Sequence, residues 1–539
     1  MAANSNFLPG INVTLNDLGL KIAPPPAGPK VMLLGITSNT GIPLKEPFTV
    51  SSVERATSSL YFTGAAVGSN YPGELSLAVE EAAQAGAQNI EVMIIAHQVG
   101  SALEDYVSPT GHQTGRFTDL SNAYDVLKNR DLDVIVPVGA YIDVTGLSSS
   151  NNFGKQLADF CFQVTADENA AHGVIGVAPP TWWALHHTSG SFTGGQLADG
   201  QVIADELRAF GDGTVGHPGN WPETFNTGQK YAYFGTPSST LIDRWVDYHT
   251  ADLEFVNPGA LHHLLPKITR DVVYGAYLSG SYDNSLAGAR SKRFAEAATS
   301  NQLHPLYFTH WQAKDNDGAL AYDSRGVKVD AGAYISVINA PLKTTSTQAR
   351  ALATNFGAPI SSSSFITDGV AAYAGLVNSL APHSGTTNKH MAGVLPLKQL
   401  SRTQANRLVG LRKVTMYTRS KGYVISKDVT GAHNVNPYLR SDYVLLTTVR
   451  IVQTAVDLIR SVAEDYIGEP NNAPQMNALN NEVDQVLLSM KGSALNAYDF
   501  VISSTPAQRV LGELDIDLTL VPAFEITTIN LTVSLASSL

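Results

Sequence analysis

The chain reads as a mixed α/β protein with a lone β-strand near each end. Short, wholly apolar runs alternate with helix-length stretches up to about Leu380, the rhythm of strands crossed by helices. Two long amphipathic helices and a strand with one wet face follow. A period-two pattern near each terminus supplies the end strands.

At the front, Ile11, Val13 and Leu15 alternate with Asn12, Thr14 and Asn16, ahead of the stiff spacer Ala23-Pro24-Pro25-Pro26. At the back, Ile529, Leu531, Val533 and Leu535 alternate with Asn530, Thr532, Ser534 and Ala536, beyond a break at Pro522. A half-buried strand with no hairpin neighbour must find its hydrogen bonds elsewhere, and another subunit is the obvious donor. These two sets are therefore expected to form intersubunit strands.

Between them, Val31 to Ile36 is expected as a buried strand, Val53 to Tyr61 and Gly73 to Ala85 as helices, and Ile90 to Ala96 as a strand. Gly86 is placed to end the second helix. The polar, glycine-bearing stretch Ser101 to Arg116 reads as a boundary. Then come a helix at Leu120 to Leu127, a strand at Asp133 to Val136, a helix at Phe153 to Phe162 and a strand at Val174 to Val177. Pro179 to Asn226, rich in Gly, Thr and Pro, reads as an irregular excursion with one helical island, Val202 to Phe210. A strand at Tyr274 to Leu278, a helix at Ala287 to Ala298, a strand at Tyr334 to Asn339 and a helix at Ile366 to Leu380 close the central region. A second boundary falls in Pro382 to Lys389.

The C-terminal part has the strongest periodicity. Leu445, Val449, Val452, Val456, Ile459, Ala463 and Tyr466 recur at spacings of four and three, with Arg450, Gln453, Asp457, Arg460 and Glu464 on the other side. Ser441 or Asp442 is expected to cap this helix and Gly468 to end it before Pro470, giving a length of roughly 39 Å. A second helix carries Met476, Leu479, Val483, Val486 and Met490, with Pro474 in its first turn and Gly492 at its end. Leu514, Ile516, Leu518 and Leu520 alternate with Glu513, Asp515, Asp517 and Thr519, a strand that should be antiparallel or at an edge.

With 539 residues the chain has room for about three to four domains. Its 44% hydrophobic content supports large cores, and its 15% charge suggests surface spent against protein. A net charge of −12 argues against nucleic acid as a main partner. The single Cys161 sits in an apolar context and is expected to be a buried, inert thiol in a reducing compartment. No signal peptide or membrane insertion is expected, because neither a basic-then-apolar start nor an apolar run of about 18 residues is present. The expectation is a soluble protein made in the cytoplasm.

No phosphate-cradling G-x-x-x-x-G-K-[ST] loop, G-x-S-x-G elbow or H-E-x-x-H helix occurs. His186-His187 and His262-His263 are adjacent pairs whose side chains do not converge on one metal. Asp315-Asn316-Asp317-Gly318 begins like a calcium loop but lacks its later ligands and reads as a plain turn. Trp182-Trp183 reads as a packing plug beneath a loop, with an exposed aromatic binding patch as the alternative. No catalytic residue, cofactor or metal is expected.

Four stretches resemble the family of contractile phage tail sheath proteins, which includes the sheaths of R-type pyocins and related injection systems. They are Leu8-Pro9-Gly10-Ile11-Asn12-Val13 with Ala23-Pro24-Pro25-Pro26; Val31 to Ile36 as first core strand; Val449-Arg450 through Ile467-Gly468-Glu469-Pro470-Asn471; and Gly492-Ser493-Ala494-Leu495 through Tyr498, Gly512-Glu513-Leu514 and Pro522-Ala523. The chain departs from the family pattern around Leu408 to Val424. The resemblance implies an α/β fold with an α+β core: a discontinuous core domain from the N- and C-terminal segments (28–100 and 389–521), terminal arms (1–27 and 522–539), and inserted subtilisin-like α/β outer domains (101–388). It implies a non-enzymatic virion subunit, assembled in the host cytoplasm, that polymerises as stacked hexameric rings around a tail tube. Contraction then drives the tube through the host envelope. The implied partners are other copies, the tail tube protein, and the baseplate and tail terminator proteins. Arg450, Asp457, Arg460 and Glu464 are expected on a tube-facing helix. An α/β hydrolase-like enzyme and a capsid or receptor-binding virion protein are the competing readings.

Overall fold

The computed structural model describes residues 30–63, 70–107, 111–142, 152–167, 170–180, 242, 245–246, 313–322, 329–347, 365–420, 422–432 and 442–525. Both terminal strands, the proline spacer, Trp182-Trp183, the two His pairs and the elements expected at 202–210, 274–278 and 287–298 lie outside the described residues.

The fold is mixed α/β. It opens with β1 (Lys30–Thr37), β2 (Phe48–Thr49), α1 (Val53–Ser59), a small antiparallel pair β3 (Tyr61–Thr63) and β4 (Asn70–Pro72), α2 (Glu74–Gln84) and β5 (Asn89–His97). Next come α3 (Gly100–Val107), α4 (Gly111–Leu127), β6 (Val134–Pro137), α5 (Phe153–Asp167), β7 (His172–Gly176) and β8 (Ile335–Ile338). One six-stranded sheet has the order β2-β5-β1-β6-β7-β8, parallel except for β2 at its edge. Strands from both sides of the boundary expected after residue 100 thus share one sheet.

Parallel strands are covered on both faces, which is why β1 and β6 read as unbroken apolar runs. Met32, Leu34 and Ile36 point to a core with Leu103, Leu120, Tyr124, Phe153 and Cys161 from α3, α4 and α5. Val31 and Leu33 point the other way, onto Leu75 and Val79 of α2 and onto α6 (Val370–Ser379). Cys161 is fully buried, and burial pushes its thiol pKa up. Gly86 leaves α2 at φ +107°, a conformation that favours glycine.

Beyond β8 lie β9 (Leu342–Thr344), β10 (Phe365–Thr367), α6, β11 (Val394–Pro396), α7 (Arg402–Gly410), β12 (Met416–Arg419) and β13 (Gly422–Ile425). β9 pairs antiparallel with β10 and β11, and β12 with β13. Asp315 caps a plain turn, accepting from Asp317 N at 3.1 Å and Ala319 N at 2.8 Å.

Three expectations need correction. Ser101 to Arg116 is mostly helical, because Leu103 and Tyr106 are buried and the charge of Arg116 is met by Glu74 at 2.5 Å. The helix expected from Ile366 starts later: Phe365 to Thr367 pair with β9, and Gly369 at φ +69° turns the chain into α6. The long C-terminal helix is α8 (Leu446–Glu464), about 28 Å at ~1.5 Å per residue. A short 3-10 turn, Asp442–Val444, and an extended Leu445 precede it. No side chain of Leu445 caps α8. Asp428, from a distant segment, accepts from Thr447 N at 2.9 Å instead.

Candidate assembly interface

Downstream of α8, α9 (Ala473–Met490), β14 (Leu495–Ser503), α10 (Pro506–Leu511) and β15 (Asp515–Pro522) complete a module with its own core. Ile451, Ala455 and Ile459 recur every four residues on α8 and meet Leu479, Val483, Leu487 and Met490 of α9. Asn472 Oδ1 accepts from Gln475 N at 3.1 Å to cap α9, and Pro474 occupies its first turn as expected. β14 and β15 form an antiparallel hairpin with a register shift between Leu495 and Ala497. α10 makes its tip, with a capping box from Thr505 and Gln508. Asn471 ties that tip to the α8–α9 turn, donating to Ser504 Oγ at 3.1 Å and to the Glu513 carbonyl at 3.2 Å.

The two faces of the hairpin differ. Tyr498, Phe500, Ile502, Ile516, Leu518 and Leu520 are half-buried against the helices. Asp499, Val501, Asp515, Asp517, Thr519 and Val521 are exposed. Among the described residues, β14 and β15 form a ladder only with each other, apart from one isolated bridge between Leu495 and Lys491, so each strand carries an outer edge with no partner strand. One strand of nine residues and one of eight leave a long double edge of backbone donors and acceptors.

The polar side of α8 faces the chain's own α/β unit. Arg450 donates to the carbonyls of Leu380 at 2.6 Å and Ala381 at 3.3 Å, Gln453 to Ala171 at 3.3 Å, and Arg460 to Thr165 at 3.1 Å. Asp457 lies 3.9 Å from Arg460, and burial lifts its carboxyl to about 6. A cavity of about 120 Å³ separates α8 from Ala333 and Tyr334, with Asp457 and Arg460 in its wall. Glu464 alone of the four expected tube-facing residues is exposed. The spacing that put these residues on one stripe is present, but that stripe is occupied by backbone carbonyls of the same chain.

The root of the C-terminal arm is anchored. Glu525 accepts from Thr387 Oγ1 at 2.9 Å, and a Cβ at Gly385 would lie 2.7 Å from the Glu525 carboxylate. Nothing in the local sequence marks Thr387 or Gly385 for this contact. Among the described residues, no group of three or more His, Cys, Asp or Glu is arranged to hold a metal, and no helix is long and apolar enough to cross a membrane.

No family model and no curated protein matches the sequence. Among solved structures, the chain is similar to one of the sheath complex of an extracellular contractile injection system, PVC, in its contracted state. Identity is 11%, coverage 99% of each chain and the TM-score 0.48. It is similar to one of the contracted anti-feeding prophage baseplate at 12% identity, over 99% of this chain and 100% of that one, with a TM-score of 0.43. A sheath tail protein from Desulfitobacterium hafniense is matched at 12% identity with a TM-score of 0.26, over 36% of this chain and 46% of that one, less than half its length.

Proposed function

We propose that the chain is the structural subunit of a contractile tail sheath, joined to its neighbours by exchanged strands. The observation that carries this reading is the β14–β15 hairpin: a half-buried inner face, a helical backing, and two long edges without a ladder partner among the described residues. The sequence holds two uncompensated strands, Ile11 to Leu15 and Ile529 to Leu535, with the alternation such edges accept. Two edges and two arms per copy let each subunit receive and give strands.

In this reading the copies form stacked hexameric rings around a tail tube, bounded by a baseplate and a terminator. Main-chain ladders keep the mesh joined while the α/β units move as rigid bodies. An extended, metastable polymer relaxes to a more closely packed one, and no nucleotide is needed. Of the residues expected on a tube-facing helix, Arg450, Asp457, Arg460 and Glu464, the exposed Glu464 is the one left free to meet a tube in this reading. In this reading the outward insertion is the expected 101–388 region.

Deleting residues 1 to 20, or ending the chain after Glu525, should leave folded protein by circular dichroism that no longer forms tubes in negative-stain micrographs. Normal tubes from either truncation would overturn the reading.

A further inference from the structure

The outer face of the hairpin carries three exposed carboxylates and no cation. In register, Asp499 stands opposite Thr519, Val501 opposite Asp517 and Ser503 opposite Asp515. Neither strand contains Lys or Arg. Gln508 Nε2 donates to Asp515 Oδ2 at 2.5 Å, a neutral partner that leaves the charge in place.

An edge that recruits strands is a hazard, because the best-matched strand at hand is the same edge of another copy. Here that pairing is opposed. A second hairpin laid antiparallel along β15 would set Asp517 beside its own counterpart when centred on Asp517, or Asp515 beside Asp517 when centred on Ile516, and along β14 a pairing centred on Asp499 would set Asp499 beside itself. Like charges directly across a ladder destabilise it. The terminal segments are the opposite case: residues 1–16 contain no Asp, Glu, Lys or Arg, and neither do residues 526–539. Strand alternation ties the two facts together. When the apolar side of an arm joins the inner face, its Asn, Thr and Ser side chains fall in the row of the carboxylates. Amide and hydroxyl groups donate to carboxylates without adding like charge.

We propose that Asp499, Asp515 and Asp517 are specificity-determining residues. They reject a second hairpin at the free edges and leave those edges to the uncharged terminal strands of neighbouring copies, residues 11–16 and 529–536. This deepens the strand exchange proposed above and rests on it.

The test places charge on the arm of the full-length chain and reads the critical concentration for sedimentable polymer. Asn530→Asp/Thr532→Asp, which adds two like-charge pairs, should raise it about tenfold. Asn530→Lys/Thr532→Lys should leave it unchanged or lower it. Adding Asp499→Asn, Asp515→Asn and Asp517→Asn to the Asp-arm variant should restore assembly. Equal losses from the Asp and Lys arms, with no rescue by the Asn substitutions, would overturn the proposal while leaving strand exchange standing. No effect from either arm variant would overturn the exchange, and the proposal with it.

Discussion

Thr447 gives both its backbone N–H and its hydroxyl to the carboxylate of Asp428, so a residue nineteen positions upstream closes the first turn of α8. The other oxygen of Asp428 accepts from Thr386 Oγ1 at 2.8 Å, and Tyr373 OH lies 3.4 Å from it. Asp428 thereby joins α6, the turn before β11 and the start of the C-terminal module.

Asp428→Ala removes a helix cap and orphans buried hydroxyls. The expected cost is about 2–4 kcal/mol, from capping energies of ~1 kcal/mol and ~1–3 kcal/mol for stranded buried donors. Asp428→Asn, which retains an acceptor oxygen, should lose less. Urea denaturation of the two variants checks the order.

Glu74 and Arg116 form a pair with side chains 2% and 1% exposed, and Arg116 also donates to the Val138 carbonyl at 2.5 Å. Breaking one half leaves a buried charge, so Glu74→Gln or Arg116→Met alone should cost roughly 3–5 kcal/mol. The double variant should cost clearly less than the sum. A double-mutant cycle by chemical denaturation measures the coupling; additive losses would count against it.

Glu81 is fully buried; burial above all raises its carboxyl to about 8, against hydrogen bonds from Thr344 and Thr367 that pull it down. The folded state therefore holds a proton that the unfolded chain releases near the ordinary carboxylate value. Stability from this group is full at low pH and is lost as pH rises toward 8. His172 acts in the opposite sense: burial lowers it to about 3, so its contribution is lost as pH falls below about 6.5. Between about pH 6.5 and 8 only the Glu81 slope remains of the two. The melting temperature should fall across that window in the native chain and stay flatter in Glu81→Gln.

The legibility of the sequence followed the range of the interactions. β1, β5 and α9 are readable because apolar spacing is local and their burial is one-sided or complete. The hairpin strand was readable from Leu514 to Leu520 because its polar partners alternate with them. Arg116 and Glu74 are 42 positions apart, so nothing local to Arg116 shows the carboxylate that lets it be buried. The polar stripe of α8 has the same cause: Arg450 and Arg460 looked solvent-facing, yet their partners are carbonyls at Leu380 and Thr165. The arms, expected from their period-two pattern to be intersubunit strands, lie outside the described residues.

The C-terminal module should open before the α/β unit does. Its core, from Ile451 to Leu495, is a separate cluster from the two that sandwich the main sheet, and its hairpin has one exposed face. A unit with its own apolar core, joined to the rest mainly through hydrogen bonds of α8, can open sub-globally. Leu487, with no exposed surface, sits in that cluster, and Leu487→Ala should cost ~2–5 kcal/mol there. Native-state hydrogen exchange should then lose protection across α9, β14 and β15, with the amides of β1 and β5 unchanged. Equal loss in both regions would mean one cooperative unit, and the hairpin would then be as firmly held as the central sheet.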